Sequence, residues 1–141
     1  MNNSSRYTVA IHVLTLLAFC GPDPLTSEFI AGSVNTNPVV IRRLLASLRA
    51  AGLVRSQGGP GGGWQLLKDP KRITLRDVLA TVDGGSIFPL HSSDPNPLCP
   101  IGRTIQSLLL GPFKSAQDAM EKDLDRTTIA ALVKQAKASP Q

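Results

Sequence analysis

The chain has 141 residues, 42% of them hydrophobic and 18% charged, the composition of one ordinary folded domain rather than of a disordered segment. Aromatics at 4% argue against a base-stacking RNA-binding sheet, and two cysteines, Cys20 and Cys99, are too few and too far apart for a zinc knuckle or a disulfide-stapled secreted fold. The formal charge is +5, of which residues 1–28 carry −1, residues 29–68 carry +5 with no acid at all, and residues 69–141 carry +1. A local positive field attracts polyanions, nucleic-acid phosphates above all, although a surplus of this size also serves plain solubility. The longest nearly apolar run, Val9 to Cys20, is too short to cross a bilayer, and its flank from Asn2 to Arg6 is too weakly charged for a signal peptide. A soluble protein of a reducing compartment, the cytoplasm, is expected, with no membrane partner.

In chain order, Val9, Val13, Leu16, Leu17 and Cys20, with Ala10 and Leu14 beside them, have helical spacing between Arg6 and Phe19, and Gly21-Pro22 stops that helix. Thr26-Ser27-Glu28 opens a short second helix with Thr26 or Ser27 as N-cap, running through Phe29, Ile30 and Val34. Asn35 to Pro38 is a turn that hands into a third helix, with Asn37 as N-cap and Pro38 in the first helical position. Val40, Ile41, Leu44, Leu45 and Leu48 form its buried stripe and Gly52 ends it. Two short helices joined by a tight polar turn, the second longer and basic, have the form of a helix-turn-helix.

Leu53 to Ser56 and Trp64 to Leu67 are the strands of a hairpin around a loop from Gly58 to Gly63, which makes a wing after the recognition helix. A further helix follows from Thr74 to Val82, closed by Asp83-Gly84-Gly85. Four prolines keep Ser86 to Pro100 irregular. From Ile101 a long helix carries Ile105, Leu109, Phe113, Ala116, Met120 and Leu124 in steps of three and four, a stripe of coiled-coil type, with a kink or break expected at Gly111-Pro112. Thr127 or Thr128 caps a last helix, Ile129 to Lys137, before a frayed tail from Ala138 to Gln141. The fold class is mainly α with a small β-wing.

A helix entering the major groove presents its first residues and one exposed face to base edges. With the apolar stripe inward, Thr36, Asn37, Pro38, Val39, Arg42 and Arg43 face outward, and Ser27 at the head of the second helix joins them as a candidate contact. The arginine fork fits the acceptor pair of guanine, but Arg42 and Arg43 are about 100° apart on the helix, so one of them suits a phosphate instead. The glycine loop lacks the residues of a nucleotide cradle. As a wing, its Gly61 and Gly62 permit positive φ and a close approach to a groove, while Arg55, Gln57 and Lys68 flank the sugar–phosphate chain. His12, on the apolar helix, is expected to be a hydrogen-bonded core residue, and His91 has no carboxylate at ligand spacing. No nucleophile–base arrangement is present, so no enzymatic activity is expected. Cys20 is a small core residue; Cys99, just ahead of a long helix whose N-terminus favours a thiolate, is a candidate redox sensor, with a packed or idle thiol as the plainer alternative.

The segments Thr26-Ser27-Glu28-Phe29-Ile30-Ala31, Asn37-Pro38-Val39-Val40-Ile41-Arg42-Arg43-Leu44-Leu45 and Leu48-Arg49-Ala50-Ala51-Gly52-Leu53-Val54 resemble the Rrf2 family of bacterial winged helix-turn-helix transcription regulators. Gly59 to Leu66 looks like that family's wing, Ile73 to Val78 like the helix after it, and Asn96 to Gly102 like the approach to its dimerisation helix. The resemblance implies a winged-helix domain over 1–85, a linker over 86–100 and a helical dimerisation region over 101–141. It further implies a homodimer on a palindromic operator of double-stranded DNA, with Asn37, Pro38, Val39, Arg42 and Arg43 at the major groove and Arg55 and Gly61 to Gly63 at the minor groove or backbone. Members that hold an iron–sulfur cluster carry three close cysteines ahead of the dimer helix, whereas only Cys99 stands here, so no cofactor is expected and the effector is left open. Arginine often precedes the wing glycines, whereas this chain has Gln57-Gly58. The resulting expectation is a repressor, with a thiol-switched regulator using Cys99 or Cys20, or a winged helix that binds protein instead of DNA, as alternatives.

Overall fold

A computed structural model describes residues 3–83 and 87–139. The glycine pair expected to close the fourth helix, Gly84-Gly85, and the last two residues of the expected frayed tail lie outside the described residues.

The first helix, α1 (Asn3–Cys20), buries Ala10, Val13, Leu14 and Leu17 and ends where Gly21 takes a φ of +83°. Arg6 ties it to two neighbours, donating from Nη1 to the Val82 carbonyl at 3.3 Å and from Nη2 to the Ser47 hydroxyl at 3.0 Å. His12 corrects the expectation of a core histidine: it is exposed, with Nε2 at 2.9 Å from the Ser33 hydroxyl. Two positions along from buried Ala10 is about 200° around the helix, so the same period that buries Ala10 and Val13 turns His12 outward.

The helix-turn-helix is α2 (Ser27–Val34) and α3 (Pro38–Ala50). Thr26 caps α2, its hydroxyl accepting from the Phe29 amide at 3.1 Å, and the helix leaves through Asn35 at a φ of 65°, in the left-handed region that asparagine tolerates better than most residues. Asn37 caps α3, its Oδ1 accepting from the Val39 amide at 2.8 Å, with Pro38 in the first position where a missing N–H costs nothing. Ile41, Leu44, Leu45 and Leu48 are buried as expected, whereas Val40, on the edge of that stripe, is only half-buried.

Strands β1 (Val54–Gln57) and β2 (Gly63–Leu66) pair antiparallel, with Arg55 opposite Gln65 and Ser56 opposite Trp64. Leu25 lies against the other edge of β2 and exchanges both backbone bonds with Trp64, at 3.0 and 2.8 Å. A 3₁₀ turn, Pro70–Arg72, leads into α4 (Leu75–Asp83), whose start is closed reciprocally: the Thr74 amide donates to Asp77 at 2.9 Å and the Asp77 amide to the Thr74 hydroxyl at 3.1 Å.

The long helix α5 (Pro100–Leu124) runs on through Gly111-Pro112, so of the kink or break expected there the break is absent. Leu108, Leu110, Gly111 and Pro112 are all exposed, and water can serve the Leu108 carbonyl that proline leaves without a donor. The last helix, α6 (Ile129–Ala138), packs back onto the helices of the N-terminal part of the chain. Its Ile129 and Val133 are buried in one core with Val13, Ile41 and Ile73, and the chain entering it pairs with the start of α4 through Leu75 N to Thr127 O and Ile129 N to Ile73 O, both 2.9 Å. The Thr128 hydroxyl caps α6 by accepting from the Ala131 amide at 3.1 Å. Because α6 closes the core, Thr128→Ala is expected to lower global stability by about 0.5–2 kcal/mol, read as a lower urea midpoint at unchanged m.

Candidate nucleic-acid interface

The edge of α3 and the turn before it stand out from the body. Asn37, Val39, Arg42 and Arg43 are exposed, Val39 at 47%, while Thr36 and Pro38 are half-buried. The buried stripe on the opposite side of α3 holds this edge outward, and the Asn37 cap fixes where the helix begins. Ser27 is the exception among the predicted contacts: it is 7% exposed, the only buried polar side chain among the described residues. The cap at Thr26 sets the register of α2, and that register turns Thr26 and Glu28 outward and Ser27 inward.

Two contacts at this edge escaped the sequence. Arg42 donates from Nη2 to the Glu28 carboxylate, an ion pair across the helix-turn-helix with both side chains at least half exposed (50% and 63%). Fourteen residues separate the partners, and only the crossing of α2 on α3 brings them together, so no local spacing could announce the pair. Arg49, counted in the basic window, is exposed but engaged within the chain: Nη1 donates to the Ser56 hydroxyl at 3.2 Å and the guanidinium lies 5.4 Å from the centre of the Trp64 ring. It fastens α3 to the hairpin.

In the wing, Gly59 and Gly61 have φ of +81° and +76°, and the Gly62 amide donates to the Gly59 carbonyl at 3.0 Å. Gly61 and Gln57 are exposed; Gly62 and Lys68 are half-buried. The need for glycine at 62 and 63 comes from the protein's own backbone. A Cβ on Gly62 would collide with the Gln57 carbonyl, and one on Gly63, at a φ of +150°, would come within 2.5 Å of the Leu25 carbonyl oxygen. Arg55 is exposed and donates from Nε to Gln65 Oε1 at 3.2 Å, while the Gln65 amide donates to the Pro22 carbonyl. Arg55 and Gln65 also border a hollow of about 300 Å³ at the end of α1.

On α5, Ile105, Leu109, Phe113, Met120 and Leu124 are half-buried and Ala116 is exposed; no described residue of this helix is buried. Part of the stripe is covered from within the chain: Phe88 stacks on Phe113 at 5.3 Å and the Ile87 amide donates to Gln117 at 3.1 Å. Ile101, Leu108 and Leu110, on the borders of the stripe, are 64%, 61% and 56% exposed.

The family model described as "Rrf2: Iron-dependent Transcriptional regulator" matches residues 3–135. The chain belongs to the Rrf2 family. Among its relatives, the HTH-type transcriptional regulator YwnA of Bacillus subtilis is 43% identical over 122 residues, 86% of this chain and 89% of YwnA. A crystal structure of a protein described as DNA-binding is 38% identical with a TM-score of 0.72, covering 90% of this chain and 97% of that one. The structure of CymR, the global cysteine regulator of B. subtilis, is 26% identical with a TM-score of 0.71, covering 96% and 98%. The chain is thus a winged-helix transcriptional regulator of the Rrf2 type, in a family whose named members are regulators and not enzymes.

Among the described residues no three His, Cys, Asp or Glu side chains come together. Cys20 is half-buried at the end of α1, and Cys99 is exposed as the N-cap residue of α5 with no side-chain capping bond. A thiolate-held cluster needs several cysteines around one point, and the chain has two, Cys20 and Cys99, 79 positions apart. No helix among the described residues is long and apolar enough to cross a membrane.

Proposed function

We propose that this Rrf2 protein is a homodimeric repressor that binds a palindromic operator, each α3 lying in the major groove and each wing beside the adjoining backbone. The observation that carries the reading is the exposed edge of α3: Asn37, Val39, Arg42 and Arg43 lie outward at the start of a helix whose opposite face is buried. Asn37 and Val39 meet the groove first, one arginine forks onto a guanine and the other meets phosphate. Gly61, at the wing tip, approaches the backbone, with Arg55, Gln57 and Lys68 as flanking contacts. Repression follows from occupancy of the promoter. The α5 face supports the dimer, because a helix of 25 residues with none buried has its apolar side left to cover.

Two-fold symmetry sets the half-sites about 10 bp apart or a multiple of that. Sites selected from a random duplex library are expected to be palindromic at this spacing. They should bind two chains each, and log affinity should fall against log salt with a slope of about −0.9 per phosphate contact. A selected site should also silence a promoter in vitro when the protein is added. No duplex affinity, or affinity indifferent to salt, would leave the winged helix as a protein-binding module.

A further inference from the structure

The forty-residue window that holds the positive charge contains no acid, yet the residue immediately before it, Glu28, is an acid and lies on Arg42. Both side chains are largely in water, and the carboxylate sits in the first turn of α2, where the positive end of the helix favours it. Thr26, not Glu28, caps that helix, so Glu28 is not needed to begin it. An acid at the rim of a DNA-facing surface opposes phosphate approach, and here it also takes up one donor, Nη2, of the Arg42 guanidinium.

We propose that Glu28 is a specificity-determining residue: as the intramolecular counterion of Arg42 it keeps that side chain from contributing to binding on generic DNA. This inference rests on Arg42 reading a base. On an arbitrary sequence Arg42 stays with Glu28, and the phosphates gain nothing from it. A guanine that presents O6 and N7 together offers the guanidinium two acceptors in fork geometry, enough to draw it from a solvent-exposed ion pair, which is weak and screened. Glu28 thereby lowers affinity for the vast excess of wrong sites more than for the right one, which raises the ratio that decides occupancy.

The test uses the full chain, a random-sequence duplex and the duplex selected from it, with wild type, Glu28→Gln, Arg42→Ala and the double variant titrated over a salt series. Glu28 is exposed, so Glu28→Gln keeps the fold, checked by circular dichroism. Glu28→Gln is expected to bind the random duplex about three- to tenfold more tightly, with a salt slope steeper by about one per protomer, and to gain less on the selected duplex. With Arg42 already replaced, Glu28→Gln should gain markedly less on the random duplex. An equal gain in both backgrounds, or an equal gain on both duplexes, would reduce Glu28 to general repulsion and overturn the proposal. So would an unchanged random-duplex affinity in Glu28→Gln while wild type discriminates and Arg42→Ala does not; base reading by Arg42 would survive that result. If wild type itself shows no preference for the selected duplex, both readings fall together.

Discussion

Leu108→Glu is expected to turn the proposed homodimer into a folded monomer and to lower affinity for a two-half-site duplex by about 10²–10⁴-fold. Leu108 is 61% exposed within one chain, so nothing in the core is lost by charging it, and the unfolding free energy of the single chain should hold to within about 0.5 kcal/mol. In a two-fold interface each substitution counts twice, because the same patch meets itself. Two carboxylates are then brought to an apolar seam about 37 Å long, the length of a 25-residue helix. The affinity loss is large because the second half-site is bound at the effective concentration set by the first, and that advantage vanishes with the partner. Sedimentation velocity reads the dimer and a gel-shift titration reads the duplex. A Leu108→Glu protein that stays dimeric with its affinity intact would show that this face of α5 does not carry the assembly.

The parts of the fold that could be read from the chain are those governed by neighbours a few residues away. Asn37-Pro38 announced the start of α3, Thr26 and Thr128 were among the named caps, and the apolar residues from Ile41 to Leu48 set its buried face. The hairpin followed from its glycines, with a shift of one residue in β1 and β2. What escaped depends on how elements cross. Glu28 meets Arg42, Arg49 meets Trp64, and α6 returns to the core only because of the angles at which the helices and the hairpin pack. His12 and Ser27 show a second kind of limit: each sits one or two residues from a buried or capping neighbour, and a step of about 100° decides whether it faces the core or water. The wing glycines were legible as a loop, but the reason for Gly63 is the Leu25 carbonyl, thirty-eight positions earlier in the chain. Pro112 is a breaker in sequence and tolerable in the structure because that stretch of α5 is exposed within one chain.

Arg42→Ala separates reading from holding. Losing a bidentate base contact costs about 1–3 kcal/mol, and a palindrome contains it twice, so the dimer should lose about 2–6 kcal/mol on the selected duplex. Preference at one symmetric pair of base positions should relax, while affinity for a random duplex changes little, since on such DNA the guanidinium is satisfied by Glu28. Arg55→Ala should behave differently. Arg55 stands on β1 opposite Gln65, and its proposed contact is with the sugar–phosphate chain. Its loss should weaken selected and random duplexes by the same factor and shallow the salt slope by about one per protomer. Comparing both variants on both duplexes gives four affinities whose pattern, and not their absolute size, assigns the roles. Equal losses on the two duplexes for Arg42→Ala would move Arg42 to the backbone and leave Arg43, a step of about 100° further around the same helix, as the arginine that reads the base.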